Sequence, residues 1–257
     1  MRMDINCDMG ESFGAYKLGS DEEIIKLVTS VNIACGWHAG DAMTMDRTVR
    51  LAASHGVGIG AHPGYPDLPG FGRRQMDCTP EEIGNYVIYQ IGALSAFCRA
   101  HGARLTHVKP HGALYLKAAE DEAIARAVVK AILCVDPSLQ YVALAGAKGE
   151  MSGAVCRELG IKICYEAFPD RAYTPQGTLL SRRQPGALVT SPQEVAKRAL
   201  LMAQKGKVIA IDGTEIELAP DTLCIHGDSP EAPALARAIR RRLEEAGVEL
   251  RPLAAGS

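Results

Sequence analysis

The chain has 257 residues, 47% of them hydrophobic, which is enough to bury one substantial core. Its 28 Lys and Arg against 30 Asp and Glu leave a formal charge of −2, excluding an overall field that would draw it to nucleic acid or an anionic membrane. Asp4 and Asp8 interrupt the apolar core a signal peptide would need, and no later stretch approaches the roughly 20 apolar residues of a transmembrane helix. A cytoplasmic protein acting on a small molecule or a protein partner, with no membrane contact, is therefore expected.

From end to end, short apolar or β-branched runs alternate with longer amphipathic stretches, the pattern of a parallel sheet wrapped by helices. Strands are predicted near 3–7, 30–35, 57–61, 104–109, 141–145, 161–167 and 222–226. Between them, Ser20-Asp21-Glu22-Glu23, Thr79-Pro80-Glu81-Glu82 and Ser191-Pro192-Gln193-Glu194 each place a hydroxyl at a helix N-cap and a carboxylate three residues on. Gly102 and Gly247 stand where helix ends favour a left-handed residue. The runs 207–211 and 215–218 flank Asp212-Gly213, a two-residue hairpin turn signal, and predict a small hairpin inserted before the last strand. No linker, repeat or charge block divides the chain. The expected architecture is one α/β domain over 1–257, a parallel (β/α) barrel of seven strands.

Two connections are long, 62–78 and 168–185, and loops of that length are usually functional. The second carries Arg171, Arg182 and Arg183 and is a candidate lid over an anionic substrate. The 8 cysteines include no Cys-x-x-Cys pair, and Cys7, Cys35, Cys164 and Cys224 lie in strand-like runs, so buried reduced thiols are expected.

In a closed parallel barrel the reactive side chains gather where strands pass into the following loops. The first strand offers Asp4, Asn6 and Asp8 at period 2, hence on one face, with Glu11 beyond. The second ends in Asn32 to Asp41 and includes His38, and the third ends in His62. The fourth supplies His107, Lys109 and His111, the sixth leads through Glu166 to Asp170 and Arg171, and the seventh gives His226 and Asp228. Any one such residue is readily explained as a hydrogen-bonded core group. The set is not, because burying so many ionisable groups is costly unless they serve a solvated site. Asp4, deepest in its strand, is the exception and reads as structural.

Pro110 restricts Lys109 to extended backbone, so His107 and His111 are not a helical i, i+4 pair and a helix-borne zinc-protease motif is excluded. Lys109 is open to three roles: electrophile toward an oxyanion, Schiff-base amine, or a structural cation paired to Asp8 or Asp170. Asp8, His38 and His62 would suit a zinc-like ion if brought together, leaving a divalent metal open. Gly146-Ala-Lys148-Gly149 is a glycine-rich turn that could cradle a phosphate or merely cap a helix. Arg73 and Arg74 are candidate carboxylate clamps.

Six segments carry a resemblance: Asp4 to Glu11, Asn32 to Asp41, His62 to Arg74, Lys109 to Tyr115, Glu166 to Tyr173 and Cys224 to Asp228. Together they resemble the LamB/YcsF family. That resemblance implies a barrel related to glycoside hydrolase and deacetylase folds. It also implies a share in an ATP-dependent 5-oxoprolinase, with ATP as co-substrate, 5-oxoproline as substrate and subunits B and C as partners. On that footing Asp8 with His38 or His62 would position and deprotonate water, and Lys109 and His111 would stabilise an oxyanion or phosphate. His226, oriented by Asp228, would protonate the leaving nitrogen. Asn6, Glu11, Arg73, Arg74, Glu166, Asp170 and Arg171 would bind substrate, Arg171 through its carboxylate. A stand-alone metal-dependent amidase or deacetylase, and a non-catalytic channelling role, are the alternatives.

Overall fold

The computed structural model describes residues 1–227 and 229–253. Six parallel strands come first, each followed by helix: β1 (Arg2–Met9), β2 (Ser30–Ala34), β3 (Gly58–His62), β4 (Leu105–Val108), β5 (Gln140–Leu144) and β6 (Ile163–Ala167). A short antiparallel pair, β7 (Lys207–Ile209) and β8 (Glu215–Glu217), precedes β9 (Thr222–Ile225), and β10 (Glu249–Leu250) comes last. The strands β1 to β6 and β9 pair in that order, and β9 returns to β1 with Asn6 opposite Cys224, so the seven-stranded parallel barrel is closed. The two-residue β10 adds outside it, Arg2 opposite Glu249, an element with too little pattern to be read from sequence.

The helices are α1 (Asp21–Ile24), α2 (Ala42–His55), α3 (Pro80–Ala100), α4 (Gly112–Glu120), α5 (Glu122–Val135), α6 (Glu150–Leu159), α7 (Pro192–Lys205) and α8 (Ala232–Glu245). Among the described residues no helix is long and apolar enough to cross a membrane. Thr79 forms the full capping box with Glu82, and the Ser191 side chain accepts from the Glu194 N–H, as their sequences predict. Ser20 does not cap α1. There the neighbouring Asp21 accepts the Gly10 N–H at 3.0 Å, and α1 is a single turn.

The hairpin is present, but its turn is longer than the Asp212-Gly213 signal implies. Ile209 pairs with Glu215, leaving 210–214 as the connection, and the Asp212 carboxylate accepts both the N–H and the hydroxyl of Thr214.

Alternation along β1 explains the barrel's two faces. Ile5, Cys7 and Met9 point outward into the apolar layer shared with Val31, Ile33, Ile59 and the helices, each buried Ile or Val contributing about 1.5–3 kcal/mol. Asp4, Asn6 and Asp8 point inward and are satisfied by other strands. Asp4 accepts hydroxyls from Thr29, Ser30 and Thr222, the structural role expected of it, and burial raises its carboxyl above the ordinary range. Asn6 donates to Glu166 Oε1 at 3.0 Å and Thr222 Oγ1 at 2.7 Å. Asn32 donates to Asn6 and Asp8 and is met by His107 Nε2 at 2.8 Å. A polar core of this kind is stable only when its members are paired, and it runs up the barrel axis to the strand ends.

Candidate active site at the strand ends

The upper end of this polar column is a charged array. Lys109 follows β4, its N–H bonded to the Ala61 carbonyl at 2.9 Å, and its ammonium turns into the barrel. There Nζ lies 2.9 Å from Asp8 Oδ1, 2.9 Å from Glu166 Oε1 and 3.1 Å from Cys224 Sγ. Burial opposes the charge on Lys109, but the attraction of Asp8, Cys224 and Glu166 outweighs it and raises Lys109 well above its ordinary value. The same opposition holds for Asp8: burial works against its charge, and His62 and Lys109 overcome it, holding the carboxyl well below the usual range. Tyr115, on the first turns of α4, donates its hydroxyl to the second oxygen of Glu166 at 3.0 Å.

Beside Asp8 stand three histidines. His62 Nε2 is 3.4 Å from Asp8 Oδ2 and 2.9 Å from His111 Nδ1. His111 stacks on His38 with ring centroids 3.7 Å apart, and Glu11 Oε1 lies 3.4 Å from His38 Nε2 and 3.8 Å from His111 Nδ1. Burial first, and then neighbouring histidines, lower both His38 and His111 well below their ordinary values. Glu11, His38, His62 and His111 each offer a ligand atom within 4.8 Å of the others, a group able to hold a metal ion.

The loop 62–78 is laid over this cluster. His111 Nε2 meets the Phe71 carbonyl at 2.8 Å, and the Phe71 ring stands edge-on to His38 and His111. Phe71 and Gly72 both have positive φ, and a Cβ at Gly72 would come within 2.7 Å of the His38 Cβ. Only glycine lets the backbone come so close to these rings.

The model of the LamB/YcsF family matches residues 3–257. The chain belongs to the LamB/YcsF family. Curated relatives bear the name of a 5-oxoprolinase subunit, the one lettered A. That of Natranaerobius thermophilus is 55% identical over 98% of this chain and 96% of its own, and that of Pyrococcus furiosus is 53% identical over 98% of each. The crystal structure of the lactam utilization protein from Thermus thermophilus superposes with a TM-score of 0.91 at 52% identity, covering 98% of this chain and 99% of that one. The catalytic domain of a peptidoglycan N-acetylglucosamine deacetylase from Eubacterium rectale, at TM-score 0.50 and 10% identity, covers 98% of this chain and 89% of that one and shares the fold alone.

Within this LamB/YcsF barrel, Asp8, Glu11, His38, His62, Lys109, His111 and Glu166 are brought together. His226 stands across from them, its ring stacked on Phe168 at 5.3 Å, and the Lys109 ammonium lies 5.6 Å from the centroid of the same Phe168 ring. The carboxylate that orients His226 is Asp170, whose Oδ2 is 2.8 Å from Nδ1 and also receives the His226 N–H. Asp228, expected in that role, lies outside the described residues.

Of the remaining expected binding residues, Asn6, Arg74 and Arg171 are engaged within the protein itself. Asn6 is wholly engaged inside the barrel. Arg74 is paired to Asp67 within its own loop. Arg171 is buried and donates to the carbonyls of Leu180 and Ala187, bracing its own loop. Arg73 is exposed, with its guanidinium 4.8 Å from the Phe71 ring at the rim of the histidine cluster. His107 lies one layer below, between Thr106 and Asn32, and burial lowers it to about 3. The Gly146 N–H is used by the Leu218 carbonyl, and a Cβ there would lie 2.8 Å from the Glu217 oxygen, so this turn packs against the hairpin.

Sequence reasoning missed Tyr115, Cys224, Phe71 and Phe168 as parts of the site. Tyr115 had a readable signal, since it lies in the first turn of the helix that begins just after His111. The other three look like ordinary core residues.

Proposed function

We propose that this chain is one component of an ATP-dependent 5-oxoprolinase, opening the lactam of 5-oxo-L-proline to L-glutamate in a cytoplasmic complex with subunits B and C. The observation that carries the reading is the Asp8 carboxylate, held ionised by Lys109 at 2.9 Å and facing His62 at 3.4 Å, in a chain 53% identical to a protein named as part of 5-oxoprolinase.

A lactam resists water because its amide is resonance-stabilised. Transfer of the ATP γ-phosphoryl group to the amide oxygen gives ADP and an imidate phosphate. One water then adds to the ring carbon, the C–N bond breaks with a proton passing to nitrogen to leave an acyl phosphate, and a second water hydrolyses that acyl phosphate to the carboxylate and free phosphate. Addition needs a base and ring opening an acid. Asp8, with His62 Nε2 3.4 Å away, orients and deprotonates the water. Lys109, with its three partners, serves as the cation that keeps Asp8 ionised between turnovers. His226, oriented by Asp170, supplies the proton to nitrogen. Arg73 receives the substrate carboxylate at the rim.

The test is reconstitution: this chain alone and with subunits B and C, given 5-oxoproline and ATP, with glutamate and phosphate followed separately. Glutamate and phosphate in equal amounts from the assembled enzyme only is the expected result. Glutamate from this chain without ATP would favour a stand-alone amidase, and none from the assembly would remove the substrate.

A further inference from the structure

The histidine nitrogens at the strand ends are arranged for more than proton transfer. His62 Nδ1 lies 2.7 Å from the Lys109 carbonyl oxygen, and His111 Nε2 lies 2.8 Å from that of Phe71. A carbonyl only accepts, so each of these nitrogens carries its ring's hydrogen. The opposite nitrogens, His62 Nε2 and His111 Nδ1, then turn lone pairs toward each other at 2.9 Å. Two lone pairs at that distance repel unless a positive species joins them. A single proton would satisfy this pair, but not His38 beside it. His38 is fully buried, and neither of its ring nitrogens has a hydrogen-bond partner. A buried polar group left so costs roughly 1–3 kcal/mol. Its Nε2 is turned toward the same cluster, 3.4 Å from Glu11 Oε1.

We propose that Glu11, His38, His62 and His111 together bind one divalent cation of the zinc type. A tetrahedral ion with bonds of about 2.0–2.2 Å separates its donors by about 3.3–3.5 Å. Three of the six separations, 2.9, 3.4 and 3.8 Å, bracket that edge and all lie within 4.8 Å, and the stacked His38 and His111 rings turn out of parallel for both nitrogens to face one ion. Three imidazoles and one carboxylate are the donors of Zn²⁺ or Co²⁺, and are too rich in nitrogen for Mg²⁺ or Ca²⁺. The Lys109 and Phe71 carbonyls hold the far nitrogens as outer contacts that fix tautomer and ring orientation in metal-binding histidines.

The surrounding chain is shaped to keep His38 in place. A Cβ at Gly64 would lie 2.8 Å from His38 Nδ1, so glycine at that position lets the backbone close on the ring. This donor set differs from the one the sequence suggests, since Asp8 belongs with Lys109 and Glu11 takes the carboxylate position.

Binding is measured on the full chain, freed of metal with a chelator and then titrated with Co²⁺ by visible absorption and with Zn²⁺ by calorimetry. One ion per chain is expected, with the d–d bands of four-coordinate Co²⁺ appearing and then abolished by Zn²⁺. His38→Gln and Glu11→Gln should each weaken binding at least about 100-fold, because even outer-contact losses cost about 10–100-fold. Circular dichroism and melting confirm that each variant is folded. Lack of stoichiometric binding by the unaltered chain overturns the proposal, as does unaltered affinity in both variants. No activity enters this readout, so failure of the lactam-opening reading would leave the metal result standing, and the reverse also holds.

Discussion

Asp8 and Lys109, 101 residues apart in the chain, meet at 2.9 Å because β1 and β4 both turn these side chains into the barrel mouth. Glu166 completes the group, so one buried ammonium is shared by the buried Glu166 and the mostly buried Asp8. Removing one partner of a buried ion pair costs about 3–5 kcal/mol, since the other charge is stranded. Lys109→Met should therefore destabilise the chain by about that amount in urea unfolding. A loss below about 1 kcal/mol, the worth of an exposed pair, would mean that the cation is not what holds Asp8 and Glu166 together.

Asp8→Asn keeps the shape and the Asn32 contact but removes the base. Turnover of the reconstituted enzyme should fall by about 10²–10⁴-fold, the usual worth of a placed acid or base. The measurement is glutamate formation at saturating ATP, alongside a melting curve showing the fold intact. Near-normal turnover would take Asp8 out of the chemistry.

Asp170 introduces a pH dependence. Burial opposes its charge, but His226 and the hydrogen bonds it makes hold the carboxyl below its ordinary value. A folded-state value below the unfolded one stabilises the fold above the unfolded value, and that stabilisation disappears as pH falls through the folded one. The stability gap between the unaltered chain and Asp170→Asn should therefore be widest near neutrality and close in acid. Unfolding measured across pH would show a constant gap if the pair were unimportant.

At the start of α2, Asp41 accepts the N–H groups of Met43 and Thr44 and, from the preceding loop, that of Gly14. Asp41→Ala should cost about 1 kcal/mol, the usual worth of an N-cap. These bonds also hold the Asp41 carboxyl below its ordinary value, so the loss should fade on acidification. An equal cost at all pH values would point to packing instead of capping.

Gly60 lies in β3 where a Cβ would be 2.1 Å from His107 Nε2. Gly60→Ala forces the imidazole off Asn32, and overpacking of this kind costs about 1–3 kcal/mol. Thermal melting with no shift would show that His107 has room to move.

The barrel was legible in the sequence because its signals are local: β-branched runs of period 2, capping residues three apart, and Pro110 forcing extension at Lys109. The same periodicity placed Asp8, His62, Lys109 and His111 at strand ends, since a strand's register depends only on its own alternation. Which of those groups touch depends on how strands far apart in the chain are staggered, and no local pattern encodes that. Closure of the sheet gave Asp170 to His226 and set Glu11 among three histidines. Each is a contact of a few ångströms between residues from different elements, and only the tertiary packing decides it.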